Sequence, residues 1–370
     1  MNFKLMAPRR SALMPTFPDC TAGFLKTSPR TDMCRFLSLV CTLCLLVACG
    51  PDASPPDPTA GMALPPDYAY PDDDTIRVVT WNLEHFVDAH DNPYIDAGRE
   101  NQPDASQTAR VRRTARALRR LNADLVVLQE AESEAFLQQM ARDHLGDLGY
   151  RFATSVESPT WYMNVVLLSR YPLGTVRNYA DVVTPIADQR ADNGEPAAQS
   201  LTNHRLWLAD VRVAPDQVWS VAGAHLKAGR SAEDRGWRIG QIQFLHAELA
   251  RLLDDRPSGK ALVTGDLNAL PNSPELRLLL NDPDRPAPDS LSSTTRPRRA
   301  RLTDPLSDRR TPTHPSDDPS RQLDYLLPNS SLANRLVDGS ARVARPLPPD
   351  SMAATSDHLP VTATFLRLRP

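Results

Sequence analysis

Asp357 and His358 lie in the stretch SDHLP, a few residues before the chain ends and just ahead of an apolar run. An acid beside an imidazole there admits three readings. The pair can be a polar turn entering a last strand, the tail of a Ser-His-Asp triad, or one corner of a metal-dependent phosphoesterase site. Comparable polar residues close other apolar runs: Asn82 in TWNLEHF, Glu130 in DLVVLQE, His225 in VAGAHLKAGR, Asp266 and Asn268 in ALVTGDLNAL. Asp324 lies within RQLDYLL. Singly, each is what a turn at a strand end needs. Several strand ends that supply carboxylate, amide and imidazole groups can instead converge on one rim. Glu130, Asp266, Asp357, Asn82 and Asn268 offer hard oxygen donors, which suit Mg2+ or Mn2+ and argue against structural zinc. Such an ion neutralises phosphoryl oxygens and a departing alkoxide.

Other chemistries fit less well. A triad acid must reach the imidazole from elsewhere in the chain, so Ser356, Asp357 and His358 cannot form one, and no G-x-S-x-G elbow occurs. DDRPSGKA ends in Gly-Lys but lacks the earlier glycine and the Ser or Thr of a phosphate-binding loop. His85, His90, His144, His204, His246 and His314 show no metal-ligand spacing and read as surface or packing positions. Glu84 and Lys227 stay ambiguous.

These groups need elements to place them. Runs rich in β-branched residues predict strands over 76–81, 125–128, 165–168, 206–213, 218–224, 261–264, 323–327 and 361–368. Apolar residues at helical spacing predict helices over 106–121, 132–144 and 239–253. Helices are too few to separate every strand pair, so a wholly parallel doubly wound sheet is not expected. Stretches such as 206–224 read as antiparallel pairs, and two packed mixed sheets with helices outside satisfy the pattern. Residues 283–320 read as a long irregular insertion of the kind that is either functional or disordered.

Composition limits the partners. With 41% hydrophobic residues the chain can bury a core, and a formal net charge of -3 excludes a uniformly basic coat for nucleic acid. Lysines occur only at 4, 26, 227 and 260, so arginine carries nearly all the positive charge. All five cysteines (Cys20, Cys34, Cys41, Cys44 and Cys49) precede residue 50, so the folded part is expected to hold no disulfide and no thiolate-bound metal. From Met33, MCRFLSLVCTLCLLVACG has a basic start and an apolar run too short to span a membrane, as a secretory signal does. Its close resembles a bacterial lipobox with Cys49 as the lipidated residue, and translation starting at Met33 would make residues 1–32 superfluous. The expected organisation is a signal region (1–49), a Pro/Asp-rich extended tether (50–74) and a catalytic domain (75–370). Stretched as polyproline II at roughly 3.1 Å per residue, the tether reaches about 75 Å. The chain is then expected to be exported and held by lipid on a bacterial membrane.

In order, TWNLEHF, LQE, HLK, GDLNA, RQLDYLL and SDHLP resemble the endonuclease/exonuclease/phosphatase superfamily of deoxyribonuclease-I-like phosphoesterases, over roughly residues 75–368. That resemblance implies a four-layer α/β/β/α sandwich and Mg2+-dependent phosphoester hydrolysis, with Mn2+ as a substitute. It implies Glu130 as principal metal ligand, with Asn82 and Asp357 beside it. It implies Asp266 as the group that deprotonates water, and Asn268 as holding that water or a phosphoryl oxygen. His358 would stabilise transition-state charge, oriented by Asp324, and His225 would touch the phosphate or leaving group, as in deoxyribonuclease- and sphingomyelinase-like members. The alcohol is left open between nucleic acid, phospholipid headgroup and soluble phosphomonoester. A nuclease acting as a monomer is favoured, because Arg298, Arg299 and Arg301 in the insertion offer phosphate contacts. A sphingomyelinase- or inositol-phosphatase-like enzyme is the alternative, and an inactive binding lipoprotein is a second class.

Overall fold

Alternation along each strand divides its apolar side chains between two cores. Strand β1 (Thr75–Phe86) sends Ile76 and Val78 to one side and Val79 and Trp81 to the other. Strand β2 (Leu125–Ala131) divides Leu125 and Val127 from Val126 and Leu128 in the same way. Burial on both faces explains why these strands read as nearly continuous apolar runs. With β3 (Phe152–Ser155), β4 (Asn164–Ser169), β12 (Arg342–Val343) and β13 (Val361–Leu366) they make a six-stranded sheet in the order β12-β13-β1-β2-β4-β3. A second, five-stranded sheet joins β5 (Leu173–Asn178), β8 (Leu206–Ala214), β9 (Gln217–His225), β10 (Lys260–Asp266) and β11 (Asp324–Pro328), ordered β11-β10-β9-β8-β5. Among the described residues only β1 with β2 and β9 with β10 pair parallel. The sheets are mixed, as the shortage of helices predicts.

The sheets pack face to face. Val165, Leu167 and Phe365 of the first meet Trp207, Val211, Trp219, Val221 and Leu262 of the second. Helices close the outer faces. Across the first sheet lie α2 (Gln107–Leu121) and α3 (Glu134–Leu145), which follow the four-residue α1 (Gly98–Asn101), and they bury Ala115, Leu118, Leu137 and Met140. The second sheet is covered by α4 (Ala232–Asp255) and α5 (Pro274–Leu280), through Ile242, Leu245, Leu249 and Leu276. Start signals are explicit: Ser133 and Ser273 accept the first free backbone N–H groups of α3 and α5, and Ser231 and Asp234 form a reciprocal box at α4. Two short helices, α6 (Ser330–Ala333) and α7 (Pro349–Ala353), sit between the last strands. The result is the four-layer α/β/β/α sandwich.

This computed structural model describes residues 62, 64–102, 105–200, 205–256, 258–281, 301–307 and 311–367. Cys49 with its signal region, most of the tether, and Arg298 and Arg299 lie outside them. Each of the eight β-rich runs contains a strand, and each helical pattern a helix. The pattern misses β3, β5 and β12, and also β6 (Val183–Arg190) and β7 (Pro196–Ser200), a separate ribbon interrupted by Pro185 and rich in polar residues. That ribbon lies on α4, where Gly236 and Gly240 leave room for its backbone. A Cβ on Gly240 would sit 1.9 Å from the Pro185 carbonyl oxygen.

Candidate active site

Strand direction brings the polar groups to one end of the sandwich. In the second sheet, Asp266 closes β10 and stands in register between His225 at the end of β9 and Asp324 at the start of β11. Gly265, just before it, has φ 141°, and a Cβ there would meet the Ala224 carbonyl oxygen at 1.8 Å. Only glycine lets β10 approach β9 at this point.

In the first sheet, bulges aim the side chains. The β1–β2 register shifts beyond Asn82, and the β2–β4 register shifts around Glu130. Glu84, His85 and Glu130 take left-handed φ values of 51°, 52° and 57°. Such conformations cost on the order of 1–3 kcal/mol each and persist where neighbours hold them. The hold on Glu130 is visible: the Asn82 amide donates to its Oε1 at 3.1 Å, and the His85 backbone N–H to its Oε2 at 3.0 Å. The same Asn82 amide nitrogen donates to Asp266 Oδ2 at 3.1 Å, which ties the two sheets together. An extra residue in a strand re-aims its side chain, as here.

Asp357 and His358 are pinned to the end of β1. Ser356 Oγ donates to the Asn82 carbonyl at 2.6 Å and accepts the His358 N–H at 2.9 Å, while Trp81 Nε1 donates to the His358 carbonyl at 2.9 Å. His358 Nδ1 is 2.8 Å from Asp324 Oδ2. A carboxylate only accepts, so Nδ1 carries the proton and Nε2 looks into the cluster, 3.8 Å from Asp266 Oδ2 and 3.8 Å from Asp357 Oδ1.

Burial pushes the Asp266 carboxyl up to about 7, against the pull of His358. Burial alone would lower His358, but Asp324 first, then Asp266 and Asp357, outweigh it and hold the imidazole at about 10. The two neighbours are thus driven apart, so that Asp266 changes charge near neutrality while the imidazole stays a cation there. Burial, with Arg205 adding to it, pushes His225 down to about 3, so this imidazole is neutral. Its Nε2 stands 3.7 Å from Asp266 and 3.8 Å from Glu130, and its buried Nδ1 has no partner among the described residues. Asn268, with φ 49°, gives its backbone N–H to Asp266 Oδ1 at 2.9 Å and its amide to the Leu226 carbonyl at 3.1 Å.

Spacing along the chain missed three contributors. His314, read as surface or packing, lies at the site. Its Nε2 lies 3.2 Å from Asp357 Oδ2, its Nδ1 takes a hydrogen bond from Arg321 (2.8 Å) and its ring packs 4.7 Å from that of His358. Arginine only donates, so Nδ1 is the acceptor and the Nε2 proton points at Asp357. Burial disfavours charge on Asp357, but this hydrogen bond leads the groups that hold its carboxyl below the usual range. His85 places Nε2 3.9 Å from Glu130, with Nδ1 2.5 Å from the Tyr162 hydroxyl. Arg205 turns its charge toward Glu130 and Asp266, though burial pushes its guanidinium down. A bulge brings in His85 and the insertion His314, and neither feature has a sequence period, whereas Arg205 directly precedes β8 and its carbonyl accepts the His225 N–H at 2.8 Å. Ambiguous Glu84 accepts the Asp357 N–H at 3.2 Å, whereas Lys227 pairs with Asp234 at 2.8 Å.

Arg301 is placed elsewhere. It precedes Leu302, which pairs with Asn329 just past the end of β11 remote from Asp324.

The donor set fits a divalent cation. Two groups bring ligand atoms within 4.8 Å of one another, His314 with Asp357 and His358, and Asp266 with Asp324 and His358. Buried Asp324 Oδ1 has no partner among the described residues, and Glu130 adds a partly exposed carboxylate beside Asp266. His358 is protonated and His314 directs its Nε2 proton at Asp357, so the carboxylate oxygens of these groups are the atoms that suit Mg2+ or Mn2+. Glu130 belongs to neither group, and its measured neighbours are Asn82, His85 and His225.

Residues 79–358 match the sequence profile of the Endonuclease/Exonuclease/phosphatase family. No curated protein matches the chain. Among solved structures, truncated TDP2 of Caenorhabditis elegans is 16% identical, with a TM-score of 0.50, over 79% of this chain and 98% of that one. The human Nocturnin catalytic domain with bound sulfate is 18% identical, with a TM-score of 0.52, over 79% of this chain and 94% of that one. At these identities the likeness is one of fold.

Proposed function

The chain belongs to the endonuclease/exonuclease/phosphatase family, and on that premise we propose that it is a Mg2+-dependent phosphodiester hydrolase that cleaves DNA or RNA. Family membership and the ligand clusters support phosphoesterase- or nuclease-like hydrolysis in general. One observation carries the mechanism: Asp266, raised to about 7, lies 3.8 Å from the Nε2 of His358, held at about 10.

In this reading Asp266 takes the proton of the attacking water, and Asn268 places that water. His358 donates from Nε2 to a phosphoryl oxygen, where charge grows in the transition state, and Asp324 keeps the imidazole oriented and protonated. Neutral His225 faces the phosphate or the departing oxygen. Glu130, Asn82 and Asp357 would hold the cation, which when bound neutralises phosphoryl and alkoxide charge. Export and lipid anchoring through Cys49 complete the proposal. No helix among the described residues is long and apolar enough to cross a membrane, so membrane attachment would rest on that lipid.

The test is a panel of plasmid, RNA, sphingomyelin, inositol phosphates and a bis-aryl phosphate diester, with Mg2+ or with chelator. Cleavage of plasmid or RNA that chelator abolishes is expected. Turnover of sphingomyelin or inositol phosphates alone would replace the nuclease reading. No turnover of any substrate would leave a binding protein.

A further inference from the structure

Six of the fifteen residues of α2 are arginine. Arg110 is turned inward, with Nε on the Thr355 carbonyl at 2.8 Å and its other nitrogens on the backbone of Leu83, Glu84 and His85. The others form a stripe outside. Arg113 donates to the Ala354 carbonyl at 2.7 Å, two residues before Ser356, and Arg120 to the Pro346 carbonyl at 2.7 Å. On one flank of α2 a pocket of about 420 Å³ is lined by Arg112, Arg113, Arg116, Arg119 and His144. A pocket of about 300 Å³ on the other flank takes Arg77, Arg120, Arg342 and Arg345. No carboxylate lines either. Arg119 is neutralised by Asp147. Arg112, Arg116 and Arg342 are exposed and have no hydrogen-bond or ion-pair partner among the described residues.

We propose that this stripe is the track for the phosphodiester backbone of a polynucleotide leaving the catalytic rim. The inference deepens the nuclease reading and rests on it. A solvated helix face in a nearly neutral domain would intersperse acids with its arginines, as α3 does with Glu134 and Asp143. Position argues for a substrate: the stripe starts at Ala354 and Thr355, the backbone that leads into Asp357 and His358. Its length agrees. From Arg110 to Arg120 the helix rises about 15 Å at about 1.5 Å per residue, the axial rise of about four base steps of a duplex at about 3.4 Å each. A membrane-binding face would combine basic with apolar side chains. The exposed large hydrophobics among the described residues, Tyr94, Val183, Leu270 and Leu366, belong neither to α2 nor to the Arg342–Pro346 stretch.

The experiment replaces Arg112, Arg116 and Arg342 together by Gln in the full chain. Binding of labelled single- and double-stranded oligonucleotides is measured against salt in an Asp266→Asn background, and turnover is measured with Asp266 intact. The slope of log affinity on log salt should become shallower by up to about 0.7 per lost contact on single strands, or about 0.9 on duplex. Turnover of a bis-aryl phosphate diester should not change. An unchanged slope, while polynucleotide is still bound and cleaved, would make the stripe a solvated face and leave the nuclease reading intact. Equal loss on the small diester would show that the arginines act through the packing of α2 and would also overturn the track. Small-diester turnover with no polynucleotide bound or cleaved by the wild type would remove both readings. Binding of anionic vesicles that the triple variant loses would then assign the stripe to a lipid surface.

Discussion

In the proposed mechanism Asp266 and His358 set the chemistry by their opposite displacements. The base works only when ionised, so log rate should rise with pH until about 7, where Asp266 loses its proton. The cation works only when protonated, so the rate should fall again above about 10. Asp324→Asn removes the foremost group that holds the His358 proton and also one that raises Asp266. Both limbs should therefore move to lower pH, the alkaline limb further. Asp266→Asn and His358→Ala should each lower turnover by at least about 10²-fold. Asp324→Asn should add little to His358→Ala, because the two act as a unit; strict additivity in log rate would separate them. His314 is a positioning residue with a different signature. His314→Ala should weaken Mn2+ binding by about 10–100-fold, the usual cost of losing a group that orients a metal ligand. His314→Gln, which keeps an N–H in the place of Nε2, should recover much of it; calorimetric titration decides. The residues that sequence spacing could locate, Asn82, Glu130, His225, Asp266, Asp324 and His358, all end or flank apolar runs with a readable period. His314 does not, since loop geometry alone brings it to Asp357, and Arg205, which flanks the run 206–213, is a charge that spacing alone does not single out.

Elements show the same division. Strands with both faces buried announce themselves through β-branched runs, and so does the apolar face of α2. The β6–β7 ribbon does not, because only its contact with α4 orders it. Two glycines one turn apart, Gly236 and Gly240, make that contact possible. Gly240→Ala should force the Pro185 backbone away and cost about 1–3 kcal/mol, the usual range for overpacking. Limited proteolysis should then cut sooner between Arg190 and Pro196. An unchanged denaturation midpoint and cleavage pattern would mean that the ribbon is held otherwise. The bulges that aim Asn82 and Glu130 were equally hidden: nothing in TWNLEHF or LQEAE marks a left-handed residue, and glycine, the usual sign, is absent.

The whole molecule is expected to be tied down by one end. Cys49→Ser should abolish incorporation of a radiolabelled fatty acid, and equal label in wild type and variant would remove the anchor from the proposal. Thr75, at the start of β1, pairs with Leu366, while Asn82 lies seven residues further along the same strand, about 23 Å away at about 3.3 Å per residue; the residues ahead of Thr75 pack on the same domain, Tyr68 donating to the Arg170 carbonyl at 3.1 Å and Asp67 standing 2.9 Å from Arg151. The pairing of first strand with last has another consequence, one in time. Sheet order places β13 directly against β1, and the turn just before β13 carries Asp357 and His358. A chain still emerging from the ribosome, or one cut short before residue 357, already holds Glu130, His225 and Asp266, yet it has neither the cation beside Asp266 nor the strand that flanks β1. In the proposed mechanism a chain that stops before residue 357 should therefore show no turnover, which assay of a chain truncated after Thr355 checks.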